Sequence, residues 1–220
     1  MNLKILYEDK DIIVVVKPRG ISSQSSNSFE EDMVSLLKKH LGKDGYIGVI
    51  HRLDKPVYGI MVYGKNKAST DILSNELRKK SIERTYEALV DGLPESEEGE
   101  LRDFIKKFDN NVSKVVEKNT AGAKEAILKY SVVDSLLNED RYITRLRINL
   151  ITGRHHQIRL QLAHHSLPII GDRKYGIGST SNNKSGLIIT EEIAELEKYN
   201  IALACISLIF KHPVTGKKIE

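Results

Sequence analysis

A carboxylate set among cations is the feature of this sequence best suited to chemistry. In IHRLDKPVYGIMVYGKNKAS, Asp54 stands beside His51, Arg52 and Lys55, just ahead of an apolar run. Close cations lower a carboxylate's pKa and keep it ionised. An ionised carboxylate can serve as a base or a nucleophile. The competing reading is a surface loop with a solvated salt bridge, since ion-pair networks outnumber active sites. A second cluster, TGRHHQIRLQLAHH, holds Arg154, Arg159 and the histidines 155, 156, 164 and 165. No H-E-x-x-H spacing occurs, and no cysteine or carboxylate joins the histidines, so a phosphate-binding basic surface fits better than a metal. A polar helix face with snorkelling arginines is the alternative. Tyr86, in ERTYEALVDG, lies on a strand-like stretch, where packing and function are both open to it.

Other chemistries lack support. Cys205 is the one cysteine, so neither an intrachain disulfide nor a cysteine zinc site can form. No G-x-G-x-x-G, phosphate-binding P-loop or G-x-S-x-G is present, which removes the usual signs of nucleotide cofactors and serine hydrolases.

The elements that must carry these residues follow from periodicity. Leu3 to Tyr7 and Ile12 to Lys17 predict a hairpin, ended by Pro18, Arg19 and Gly20. The polar ISSQSSNS predicts a loop. Ser28 to Glu31 fits a capping box, ahead of a helix carrying Met33, Leu36, Leu37 and Leu41 and closed by Gly42. Gly59 to Tyr63 predicts a strand. Asn66 can cap a helix to about Lys80, with Ile72, Leu73 and Leu77 on one face. Ile82 to Val90 predicts a strand and DGLP a turn. The next stretch, to about Asn119, is charged and irregular, with basic residues at Lys106, Lys107, Lys114 and Lys118. Ala126 to Val133 and Tyr142 to Leu150 predict strands parted by NEDR. The histidine-rich segment fits either periodicity; Thr152 and Gly153 favour a helix, on which Arg154 and Arg159 would stand about 140° apart. Ile201 to Phe210 predicts the last strand, before the turn HPVTG. The interspersed elements indicate an α+β fold with a mixed, mainly antiparallel sheet. No repeat or linker divides residues 1–220, which are expected to form one domain.

The chain has 220 residues, 40% of them hydrophobic and 29% charged, as a globular protein would. A net charge of +4 permits a nucleic-acid partner without requiring one. No apolar run approaches the roughly 20 residues that span a bilayer. The start lacks the layout of a signal peptide, so a cytoplasmic protein is expected.

Taken in order, five segments resemble the RluA family of pseudouridine synthases over nearly the whole chain. They are ILYEDKDIIVVVKPRGI, HRLDKPVYGIMVYGKNKAS, ERTYEALVDG, TGRHHQIRLQLAHHSLPIIGDRKYG and IALACISLIFKHPVTGKK. The resemblance implies a pseudouridine synthase-like core: a long mixed sheet, flanking helices and a central cleft. It implies isomerisation of a uridine in rRNA or tRNA, with no cofactor and no metal, by a monomer that binds RNA and no membrane. Asp54 matches the catalytic aspartate. Tyr86 matches the tyrosine that stacks on the uracil, and Arg159 the basic residue that pairs with the aspartate. Arg52 matches an arginine that can fill the gap left by a flipped base, and Leu160 an apolar neighbour in the pocket. His51, Leu53, Arg154 and Gln157, in the same two segments, are assigned to substrate binding. Val57 and Tyr58 replace the family's usual Thr and Ser, and Arg84 replaces a common Lys. The S4-type RNA-binding domain that many relatives carry ahead of this region is not expected.

Overall fold

A computed structural model describes residues 3–25, 29–42, 45–109, 112–138, 141–176 and 201–220. In chain order its elements are β1 (Lys4–Glu8), β2 (Ile12–Lys17), α1 (Met33–Leu41), β3 (Gly48–Val49), β4 (Tyr58–Gly64), α2 (Lys67–Arg78), β5 (Glu83–Asp91), β6 (Glu98–Lys107), β7 (Ser113–Val115), β8 (Lys124–Asn138), β9 (Arg141–Leu150), α3 (Gln157–His164), β10 (Leu203–Lys211) and β11 (Lys218–Ile219). They form two compact units, Met1–Arg84 with Cys205–Glu220, and Thr85–Ala204.

In the first unit the strands run β1-β2-β4-β10, with β3 added to β4 and β11 to β10. β2 is buried at every position, as a continuous apolar run should be when both its faces are covered. It pairs antiparallel with β4 from Ile12↔Gly64 to Lys17↔Gly59. Gly59 is required there. Its φ is +136°, and an added Cβ would come within 2.2–2.8 Å of Cys205 backbone atoms. α1 buries Met33, Leu36 and Leu37.

The cap of α1 differs from the expectation. Ser28 lies outside the described residues, and the helix starts at Met33 with Asp32 as its cap. Asp32 accepts from the Ser35 N–H at 2.7 Å, and the Ser35 hydroxyl accepts from the Asp32 N–H at 3.0 Å. Aspartate and serine at that spacing satisfy the same orphan donors as the expected pair. Asn66 caps α2 as expected, accepting from Ser69 N–H at 2.8 Å. Of the three apolar residues assigned to its inner face, Leu73 is fully buried but Ile72 is 41% exposed.

In the second unit the order is β5-β9-β8-β6-β7, antiparallel throughout. Tyr86↔Ile148 and Ala88↔Leu146 face each other across β5 and β9, and all four are buried. The stretch expected to be irregular contains the ten-residue β6. Its inner face carries Leu101 and Ile105, both buried. On its outer face Glu100 and Arg102 join Glu125 of β8 in ion pairs at 2.7–2.9 Å. Those charges mask the alternation in the sequence. β8 also extends past Val133 to Asn138, and β11 follows the HPVTG turn. The histidine-rich segment is helical, beginning at Gln157.

Candidate active site

The loop that carries Asp54 is fastened to the residues following β2. Ser23 Oγ accepts from the Leu53 N–H at 3.0 Å and donates to the Leu53 carbonyl at 2.7 Å. The Gly20 N–H donates to the Lys55 carbonyl at 2.9 Å. Lys17, wholly buried, donates from Nζ to the carbonyls of Pro18 (2.9 Å), Ile21 (2.7 Å) and Lys55 (3.1 Å). A buried ammonium is costly unless such acceptors surround it. Burial, opposed by the Asp54 carboxylate and aided by the Arg19 cation, brings the Lys17 pKa down to about 8. Lys17 is thus an electrostatic neighbour of Asp54 that sequence reasoning missed. The signal was present: one lysine closing an otherwise apolar strand.

Asp54 itself is partly exposed, and its carbonyl accepts from the Val57 N–H at 2.9 Å, closing a turn. His51 points inward. Its Nε2 accepts from the Val62 N–H of β4 at 3.3 Å, which leaves the proton on Nδ1. Burial, helped by the nearby Arg84 cation, holds its pKa down to about 3, so the ring is neutral. Leu53 is buried, and Arg52 is exposed. Lys55 forms an ion pair with Glu30. Of the departures from the family pattern, Val57 is buried, and Tyr58 lies beneath the Arg19 guanidinium, 5.4 Å from ring centroid to Cζ.

In the second unit, the candidates gather at the start of α3. Gln157 is buried. Its Oε1 accepts from Thr152 Oγ1 (2.7 Å) and the Arg154 N–H (2.9 Å), and its Nε2 donates to the Ile127 carbonyl (3.1 Å). This side chain turns the backbone into the helix, in place of a capping residue. His156 sits at the cap position with a left-handed φ of 55° and makes no side-chain cap. Arg154 Nε donates to the Glu125 carbonyl at 2.8 Å. Leu160 packs with Ile105 and Ala126 in a small core bordered by Val115 and Tyr175. Tyr86 is 4% exposed on β5.

Arg159 is buried and forked onto Asp172, with Nε and Nη2 each donating at 2.8 Å. Asp172 also accepts from the N–H groups of Lys174 (2.9 Å) and Tyr175 (3.2 Å). Burial alone would raise the Asp172 pKa. The Arg159 hydrogen bonds and charge, with those N–H groups, outweigh it and hold the carboxyl below its ordinary value. The Arg159 Cζ lies 5.3 Å from the centre of the Tyr175 ring, whose hydroxyl is 2.9 Å from His156 Nδ1. Asp172 and Tyr175, like Lys17, received no role from the sequence. They stand in GDRKYG, at the end of the segment that begins TGRHHQIRLQLAHH.

Among the described residues, Asp9, Asp11 and His212 bring potential metal ligands within 4.8 Å of one another. Hydrogen bonds already occupy them. His212 Nδ1 accepts from Val214 and Thr215 N–H, so Nε2 donates to Asp9 at 2.8 Å. Asp9 further accepts from Asp11 N–H, Ile12 N–H and the Tyr7 hydroxyl, and Asp11 from Asn66. That network is a brace between the first hairpin and the C-terminal turn.

Residues 11–164 match the family model described as RNA pseudouridylate synthase. The chain belongs to this family. Relatives of the pseudouridylate synthase chain include the ribosomal large subunit pseudouridine synthase D of Vibrio cholerae, 32% identical over all of this chain and 66% of its own length. The ribosomal large subunit pseudouridine synthase C of Rickettsia bellii is 33% identical over 78% of this chain and 56% of its own. The chain therefore spans between about half and two thirds of the length of these relatives. The α+β fold is shared with the solved human RNA Pseudouridylate Synthase Domain Containing 4, at a TM-score of 0.72 and 23% identity, covering 94% of this chain and 84% of that one.

Proposed function

We propose that this pseudouridylate synthase chain isomerises a uridine within a structured RNA, with Asp54 as the essential carboxylate and residues 1–220 acting as one catalytic domain. The observation that carries the reading is a partly exposed carboxylate on a loop pinned by Lys17, Gly20 and Ser23, inside the segment matched to the family. A loop anchored on both sides fixes the direction of its carboxylate, as general-base and nucleophilic chemistry both require.

In the reaction the N1–C1′ bond breaks, the uracil turns over, and C5 bonds to C1′. The C5 hydrogen leaves as a proton and N1 gains one, so no redox partner enters the balance. Asp54 adds to C1′ or removes a proton from C2′; a trapped ester between Asp54 and the sugar would mark the first route. Tyr86 is assigned to stacking on the base, and Arg159, oriented by Asp172, to pairing with the aspartate. Arg52, exposed beside Asp54, is assigned to the space the base vacates. His51, Leu53, Gln157 and Leu160 shape these segments from within. Arg154, with exposed Arg173 and Lys174, is assigned to phosphates. The target base must leave its stack to reach the carboxylate. The names of the bacterial relatives make large-subunit ribosomal RNA the first substrate to test, with tRNA the second. The protein is expected to work as a cytoplasmic monomer; among the described residues no helix is long and apolar enough to cross a membrane. Incubation of a ribosomal RNA transcript with the protein, followed by carbodiimide primer extension, should reveal a new pseudouridine stop. Its absence from both ribosomal and transfer RNA would refute the reading.

A further inference from the structure

The β6–β7 ribbon carries an arrangement that the fold alone does not favour. Lys106 and Lys114 are directly opposed across the antiparallel pair, between Ile105↔Val115 and Lys107↔Ser113. Directly opposed residues share a face with their Cβ atoms about 5 Å apart, and like charges placed so are destabilising. Elsewhere in this unit the strands match opposite charges, as at Glu87↔Arg147. On β6 itself, Arg102 is pinned between Glu100 and Glu125. Neither Lys106 nor Lys114 has such a partner among the described residues. Lys114 is exposed. Lys106 is held with its ammonium over the Phe108 ring, 5.1 Å from the centroid, which limits how far it can swing from its neighbour.

The ribbon is also fastened in place. Ser113, next to Lys114 and therefore on the opposite face, is 1% exposed, and its hydroxyl lies 2.8 Å from His155 Nδ1. His155 belongs to the turn that carries Arg154 and leads into α3. The Phe108 N–H closes the ribbon onto the Val112 carbonyl at 2.8 Å. Two unneutralised ammonium groups are thus held side by side on a braced strand pair. A polyanion relieves their repulsion, and neighbouring phosphates of a nucleic-acid strand provide two negative charges at comparable spacing.

We propose that the outer face of the β6–β7 ribbon, through Lys106 and Lys114, is a contact for the phosphate backbone of the substrate RNA. The inference rests on the pseudouridine synthase reading and adds to it a specific part of the RNA footprint. The test compares the wild type with K106Q/K114Q, K106R/K114R and K114E, using an in vitro transcript of large-subunit ribosomal RNA. Binding is measured between about 50 and 200 mM salt. Two lost phosphate contacts lower the salt slope by ~1.4, so the wild type's affinity advantage over K106Q/K114Q should shrink about seven-fold across that range. K106R/K114R should bind as the wild type does. KM for the transcript should rise in the glutamine variant while kcat at saturation holds. K114E, which replaces a like-charge pair with an opposite one, should melt no lower than the wild type yet bind more weakly. Equal salt slopes in the wild type and K106Q/K114Q would overturn the contact, even with the wild type making pseudouridine. A slope that depends on the two lysines, in a protein making no pseudouridine, would uphold the contact and refute the enzymatic reading.

Discussion

The Arg159–Asp172 pair offers the sharpest stability test. Asp172→Asn preserves shape and leaves one acceptor, but removes the charge opposite a guanidinium that is nearly inaccessible to water. Two hydrogen bonds of 2.8 Å end on that carboxylate, so the substitution breaks a bidentate, charge-assisted contact. Removing one partner of a buried pair costs about 3–5 kcal/mol, and the retained oxygen places the expected loss near the lower figure. For a chain of this size a loss of ~3 kcal/mol corresponds to a fall of roughly 6–12 °C in melting temperature. The pH dependence follows from the lowered Asp172 pKa. A carboxylate whose pKa is lower folded than unfolded contributes stability above its unfolded value of about 4, and loses it as pH falls through the folded one. The gap between wild type and variant should therefore narrow below about pH 4. Urea melts of the wild type, Asp172→Asn, Arg159→Met and the double variant supply a cycle, in which contacting partners should couple by ~1 kcal/mol or more. A variant within about 0.5 kcal/mol of the wild type, the range of an ordinary surface change, would refute the reasoning.

Three further outcomes are expected. His51 is neutral because burial depresses its pKa to about 3; its contribution is complete above its unfolded value near 6.5 and is lost as pH falls below it, at up to about 1.4 kcal/mol per unit. Urea midpoints between pH 7 and 5 should show that slope in the wild type and not in His51→Gln. Lys17 releases its proton at about 8 when folded, against roughly 10.4 unfolded, so wild-type stability should rise relative to Lys17→Met between those values; parallel profiles would contradict it. Activity should persist in excess EDTA, and loss restored by one added metal would count against a cofactor-free reaction.

Much of this architecture is visible in the sequence, for physical reasons that also explain the failures. The first hairpin is legible because β2 is apolar up to its closing Lys17, and α2 because Asn66 is a strong cap ahead of a helical stripe. β6 is hidden because its outer face carries charges satisfied across strands, and cross-strand partners have no signature in local periodicity. The cap of α1 was displaced because aspartate and serine share the capping chemistry assigned to Ser28 and Glu31. For the site, residue types drew attention to Asp54 and Arg159. Their supports, Lys17 and Asp172, were missed because a charged residue's burial is set by tertiary contacts, here 38 residues apart for Lys17 with Lys55 and 13 for Arg159 with Asp172.

The claim that Asp54 is the chemical centre is tested most directly by single-turnover conversion of the RNA that the wild type modifies, using Asp54→Asn. That change keeps the size of the side chain and removes its charge. The variant should stay folded by its melting curve, bind the RNA at least as tightly as the wild type, and form no detectable pseudouridine. A properly folded Asp54→Asn that converts the RNA at near wild-type rate would contradict the account.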